Sequence, residues 1–178
     1  AKTAITTIDA YSLAKDYSLV LLKKQIELDA SPQEVEFSLN DSCLLLKELL
    51  EEKDYDMETS EADISLEKEG DTWKVVHTAE LDSLLTGNFA SYMSDAQLLS
   101  PSEIVDAHFG TIKDFDSEQL KIYLSLDHLV ETDDSYNNSL SMAIAQQIDK
   151  AFDYEITEEE QEGSTAAVQV SVTSPDFE

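Results

Sequence analysis

Two glycines, each flanked by alternating residues, limit the folds open to this chain more than any other feature. Ala62, Ile64 and Leu66 alternate with Asp63, Ser65 and Glu67; Glu69-Gly70-Asp71 turns the chain, and Thr72-Trp73-Lys74-Val75-Val76-His77 returns it. Phe152, Tyr154 and Ile156 alternate, Gly163 turns, and Val168, Val170 and Val172 alternate on the way back. Period-two alternation about a glycine predicts antiparallel hairpins with one face toward a core.

The intervening segments read as helices. Ala4-Ile5-Thr6-Thr7-Ile8 is β-branched and predicts a short first strand. Leu13, Tyr17, Val20, Leu21 and Leu28 recur at helical spacing over 12–28. Ser31-Pro32 reads as a cap and a first-turn proline, opening a helix from Gln33 to Glu52. Ser100-Pro101-Ser102-Glu103 opens another helix, through Ile104, Val105, Phe109 and Ile112, with Phe115 at its end. Ser117-Glu118 begins a shorter one, and Tyr136 to Ala151 carries Leu140, Ala143, Ile144 and Ile148 on one face. Residues 84–93 are less periodic and read as a linker helix and a candidate docking surface.

The fold class is therefore α+β, with helices packed on antiparallel β-hairpins in two related helix–hairpin units, 1–95 and 96–178. Asp54-Tyr55-Asp56-Met57 follows one helix pair and Asp153-Tyr154-Glu155-Ile156 the other. The turns read Glu69-Gly70-Asp71-Thr72 and Glu162-Gly163-Ser164-Thr165. Val172-Thr173-Ser174-Pro175-Asp176 resembles Ile5-Thr6-Thr7-Ile8-Asp9, which makes the first strand the counterpart of the last.

Glu67-Lys68-Glu69-Gly70-Asp71-Thr72-Trp73-Lys74-Val75 resembles the final hairpin of cystatin-like and nuclear-transport-factor-like domains of Gram-positive secreted lipoproteins. Ser100 to Phe177 resembles the opening of the same domain, with Phe115-Asp116 where the family often has Gly-Asp. The closing part thus precedes the opening part. A segment of a tandem array, a permuted domain and two divergent units all fit that order. The resemblance implies a curved sheet with helices across its concave face; it does not imply a catalytic set. It implies an extracytoplasmic, cell-surface-associated module that binds a protein, peptide or apolar ligand. Exchange of half-domains into a homo-oligomer is a further reading.

Charge excludes other partners. The 178 residues hold 39 acidic side chains against 11 basic ones, for a net charge of −28. All the basic residues are lysines. Nucleic-acid affinity comes largely from neutralising phosphates with Lys and Arg, so no nucleic acid is expected. Without arginine there is no bidentate clamp for phosphate or carboxylate. No apolar run approaches the roughly 18 residues of a membrane span, so no direct membrane insertion is expected. The chain begins at Ala1 without a basic-then-apolar segment, which reads as a trimmed or mature form. The single cysteine, Cys43, suits either the cytosol or a Gram-positive secreted protein, and reads as a small buried hydrophobe.

Chemistry-bearing patterns are sparse. His77, His108 and His128 show no zinc spacing. His77, in phase with Trp73 and Val75, is a candidate pocket acid or base with Asp63 nearby, and an isomerase or dehydratase would use it so. Carboxylates cluster at Glu51, Glu52, Asp54 and Asp56, at Asp133-Asp134 and at Glu158-Glu159-Glu160 without a calcium-loop pattern, so no metal or other cofactor is expected. Trp73, Tyr55, Tyr154 and Phe152 either line an apolar pocket or complete the core under the sheet. Trp73, His77, Tyr55 and Tyr154 are the candidate ligand-binding residues.

Overall fold

A computed structural model describes residues 2–128 and 134–176. Asp133 of the second carboxylate cluster and Phe177 lie outside the described residues. The elements run β1 (Lys2–Ile8), α1 (Ala10–Asp29), α2 (Leu39–Glu52), β2 (Met57–Asp63), β3 (Leu66–Glu69), β4 (Thr72–Val75), α3 (Ala79–Leu85), α4 (Phe89–Met93), α5 (Pro101–Lys113), α6 (Ser117–Tyr123), a 3-10 turn (Leu126–His128), α7 (Asp134–Ala151), β5 (Asp153–Glu162) and β6 (Thr165–Thr173). The fold is α+β, and the described residues form helices and three two-stranded antiparallel sheets: β1–β2, β3–β4 and β5–β6. No helix among the described residues is long and apolar enough to cross a membrane.

The chain divides into two compact units: Ala1–Ser18 with Ser42–Leu99, and Leu19–Asp41 with Ser100–Glu178. In the first, Asp9 caps α1, its carboxylate accepting from the Ser12 N–H at 3.0 Å and the Ser12 hydroxyl at 2.6 Å. That cap starts the helix at Ala10, earlier than the periodicity marks it. Ala10, Leu13, Ala14 and Tyr17 are buried along α1, with Ala62 of β2 and Leu98. Tyr17 meets Phe89, Tyr11 meets Tyr92 edge-on, and the Tyr17 hydroxyl donates to the Ser42 carbonyl at 2.8 Å. Between α3 and α4 the chain passes through left-handed Gly87, where a Cβ would lie 2.9 Å from that of Ala10. Residues 84–93 thus span the end of α3 and all of α4 rather than one linker helix, because Gly87 and Asn88 turn the backbone left-handed at φ 61° and 63°.

Three further expectations are corrected. The second helix begins at Leu39, not Gln33. Ser38 and Asp41 cap each other's backbone there, the Asp41 N–H reaching the Ser38 hydroxyl at 3.3 Å and the Ser38 N–H the Asp41 carboxylate at 2.8 Å. Ser31-Pro32 therefore caps nothing. Cys43 is exposed, because α2 turns Ser42, Leu45, Leu46 and Leu49 inward, all only half-buried. Finally, the run from Ala62 to Leu66 is not one strand. β2 ends at Asp63, opposite Lys2 at the start of β1, and Leu66 opens a separate hairpin.

Both hairpin loops hold two residues, with glycine first in a left-handed conformation: Gly70 at φ 62° and Gly163 at φ 60°. That placement matches the type II′ turn, whose twist suits paired strands.

In the second unit, Ile26, Ala30, Phe115, Leu120, Leu126 and Ala145 form the core, with Leu22, Ile112, Tyr123, Ile144 and Ile148 against it. Ser100 caps α5 through a capping box with Glu103, and Asp116 caps α6 through one with Gln119. β5 carries a bulge between Ile156 and Glu158. The extra residue resets the alternation, so Glu159 shares the face of Tyr154 and Ile156. Its carboxylate accepts from the Ser102 N–H, 3.0 Å away in the first turn of α5. Lys121, buried beside the core, donates to Asn138 at 2.7 Å and lies 3.5 Å from Asp127 and 3.6 Å from Glu118. The buried Ser141 hydroxyl donates to Asp127 at 2.6 Å.

The tyrosines of the paired Asp-Tyr segments have the same partner type. Tyr55 donates to Asp16 of α1 at 2.8 Å, and Tyr154 to Asp106 of α5 at 2.8 Å. β2, which follows Tyr55, pairs with β1, and β5, which contains Tyr154, pairs with β6.

Candidate functional site

β3 and β4 put Leu66 opposite Val75 and Lys68 opposite Trp73. Residues directly opposite share a face, so Leu66, Lys68, Trp73 and Val75 lie on one side, and Glu67, Glu69, Thr72 and Lys74 on the other. The apolar members are open to solvent: Trp73 is 63% exposed, Leu66 and Val75 each 47%. An aromatic and two aliphatic side chains set side by side in water form the kind of patch that marks a contact surface. Lys74 pairs with Glu69 on the far face.

His77 is not on the strand. β4 ends at Val75, and His77 falls in the link to α3, with its side chain 76% exposed. Its neighbouring carboxylate is Asp82, at 3.6 Å, rather than Asp63. A His–Asp pair this open to water is screened by solvent.

Tyr55 and Tyr154 are half-buried. Burial and the adjacent Asp16 push the Tyr55 hydroxyl well above the ordinary tyrosine range. Burial and Asp106 push Tyr154 up to about 12. Tyr55 belongs to the first unit with Trp73 and His77; Tyr154 belongs to the second. There, Phe152 and Tyr154 pack with Phe109 of α5. The three aromatics serve packing within that unit.

Leu66 and Val75 join Trp73 on this face although sequence reasoning did not single them out as binding residues. Cross-strand parity could have found them: counting outward from Gly70-Asp71 pairs Lys68 with Trp73 and Leu66 with Val75. Among the described residues, no group of three His, Cys, Asp or Glu side chains is placed to hold a metal ion. Compared with protein-family models, with curated proteins and with solved structures, the chain matches none.

Proposed function

We propose that this chain is a non-enzymatic binding or interaction module of an extracytoplasmic, surface-associated bacterial lipoprotein, engaging its partner through the Leu66–Trp73–Val75 face. The observation that carries this reading is the exposure of all three side chains on one face of a hairpin. Exposed Trp is favoured at contact surfaces because it covers a large area with few rotors. The cystatin-like resemblance of Glu67 to Val75 supports the setting. The open surroundings of His77 lend nothing to an isomerase or dehydratase.

Trp73 is the only tryptophan, so its emission reports this face alone. Titration with Nile red, a neutral apolar dye that the acidic surface does not repel, should shift Trp73 emission to the blue and transfer energy to the dye. The Trp73→Ala variant should lose most of the dye fluorescence. A variant that binds the dye as well as the native chain overturns the assignment of this face.

A further inference from the structure

The backbone of β4 narrows the partner further. The Val76 N–H donates to the Ser65 carbonyl at 2.9 Å, so this pair is hydrogen-bonded within the hairpin. Antiparallel pairs alternate between bonded and non-bonded. Counting inward, Lys74 with Glu67 and Thr72 with Glu69 are bonded pairs, whereas Val75 with Leu66 and Trp73 with Lys68 are not. The N–H and C=O groups of Trp73 and Val75 therefore point away from β3, toward the outer edge of β4. No third strand pairs with that edge among the described residues.

The two edges of this hairpin differ. β3 carries Glu67, Lys68 and Glu69 in sequence, and such charges discourage strand pairing. β4 offers Thr72, Trp73, Lys74 and Val75, with its one charge paired to Glu69.

We propose that the outer edge of β4 receives an extended, cationic peptide segment as an added strand, with apolar residues at alternate positions. This rests on the reading of the Trp73 face as a binding surface. Peptide residues opposite Trp73 and Val75 exchange main-chain hydrogen bonds with them and lay apolar side chains beside them. The intervening residues fall on the face of Glu67, Glu69 and Lys74, where Glu69 already pairs the Lys74 ammonium and Glu67 is left to meet the added charge. Around the hairpin, Asp63, Glu67, Glu69, Asp71, Glu80 and Asp82 outnumber Lys68 and Lys74, and the whole chain stands at −28. Charge complementarity therefore selects a basic strand and disfavours a second copy of this chain.

The test uses the full chain and a capped decapeptide of alternating valine and lysine. Binding should shift Trp73 emission and slow hydrogen exchange at the Trp73 and Val75 amides. Methylating the valine amides, which face β4, should weaken binding at least about tenfold through lost main-chain bonds. Methylating the lysine amides, which face solvent, should leave it unchanged. The Val75→Pro variant, which deletes one edge donor without touching the β3–β4 ladder, should bind the peptide at least about tenfold more weakly than Val75→Ala, which trims the side chain but keeps that donor. Equal binding of both methylated peptides, with Trp73→Ala still abolishing it, overturns strand addition and leaves the face standing. Equal binding of a valine–glutamate decapeptide overturns the cationic assignment. No response of Trp73 to any peptide or to the dye overturns the underlying reading as well.

Discussion

Tyr154 donates its hydroxyl to the Asp106 carboxylate at 2.8 Å, and a Cβ built on Gly110 would stand 3.1 Å from that same hydroxyl oxygen. Glycine inside α5 costs about 1 kcal/mol of helix propensity relative to alanine. The close approach of Tyr154 explains why it is there. Gly110→Ala should therefore destabilise the native chain slightly, despite the better helix former. In a Tyr154→Phe background, where the crowded oxygen is gone, the same change should stabilise by about 0.5–1 kcal/mol. Denaturant unfolding of the four proteins in the cycle measures the difference.

The same tyrosine gives a pH prediction. Its pKa is raised from 10.0 to about 12, chiefly by burial and next by Asp106. The folded chain thus holds a proton that the unfolded chain releases first. This contribution is intact below pH 10 and is lost as pH rises toward 12. Tyr154→Phe should flatten the alkaline fall in thermal stability. An unchanged slope between native and variant contradicts the assignment.

On the acid side, Asp127 is held below its ordinary value of 3.8, first by the Ser141 hydroxyl and then by Lys121. A depressed carboxylate stabilises above its unfolded pKa, and that stability goes as pH falls through the folded value. Asp127→Asn should make unfolding below about pH 4 less steep. Ser141→Ala should cost about 1 kcal/mol at neutral pH, since half-exposed Asp127 regains water in place of the hydroxyl. Chemical denaturation across pH reads both.

Glu159 places its carboxylate at the N-terminal turn of α5, where unpaired N–H groups and the helix dipole favour negative charge. Glu159→Ala should cost about 0.5–1 kcal/mol, more at low salt than at high salt. Glu158→Ala, one residue away on the opposite face, should cost nothing measurable.

Trp73→Ala should lower stability by less than about 1 kcal/mol, because the side chain is mostly in water already. Leu120→Ala, in the core of the second unit, should cost about 2–5 kcal/mol. A large loss at Trp73 in thermal unfolding would mean that the exposed face is buried in solution.

The α+β class was legible from local signals. Gly70 and Gly163 announce their turns because a two-residue loop of this type needs a left-handed first residue. Ser100-Pro101-Ser102-Glu103 announces its helix because the cap is made within the motif. The pairing of β1 with β2 joins strands separated by two helices, and nothing in Lys2–Ile8 specifies a partner that distant. Ser31-Pro32 misled because a cap works only where the following backbone turns helical, and Ser38 with Asp41 won that competition. At the site, the alternation placed Trp73 on a hairpin but did not say which side faces water. That depends on the absence of a packed layer over Leu66 and Val75, which no residue within the hairpin encodes.

The left-handed glycine at the tip of β3–β4 also governs how this chain behaves in a crowded solution. A two-residue loop holds β4 in a fixed extended shape, so its edge is ready for any strand that passes. What keeps identical chains apart is their shared negative charge, and charge is adjustable. Acid near the isoelectric point of about 4.1, or concentrated salt, would lift that repulsion while the glycine keeps the edge intact. Stocks of this protein should then turn from clear to fibrous or turbid, and an added net-negative residue beside Trp73 should delay it.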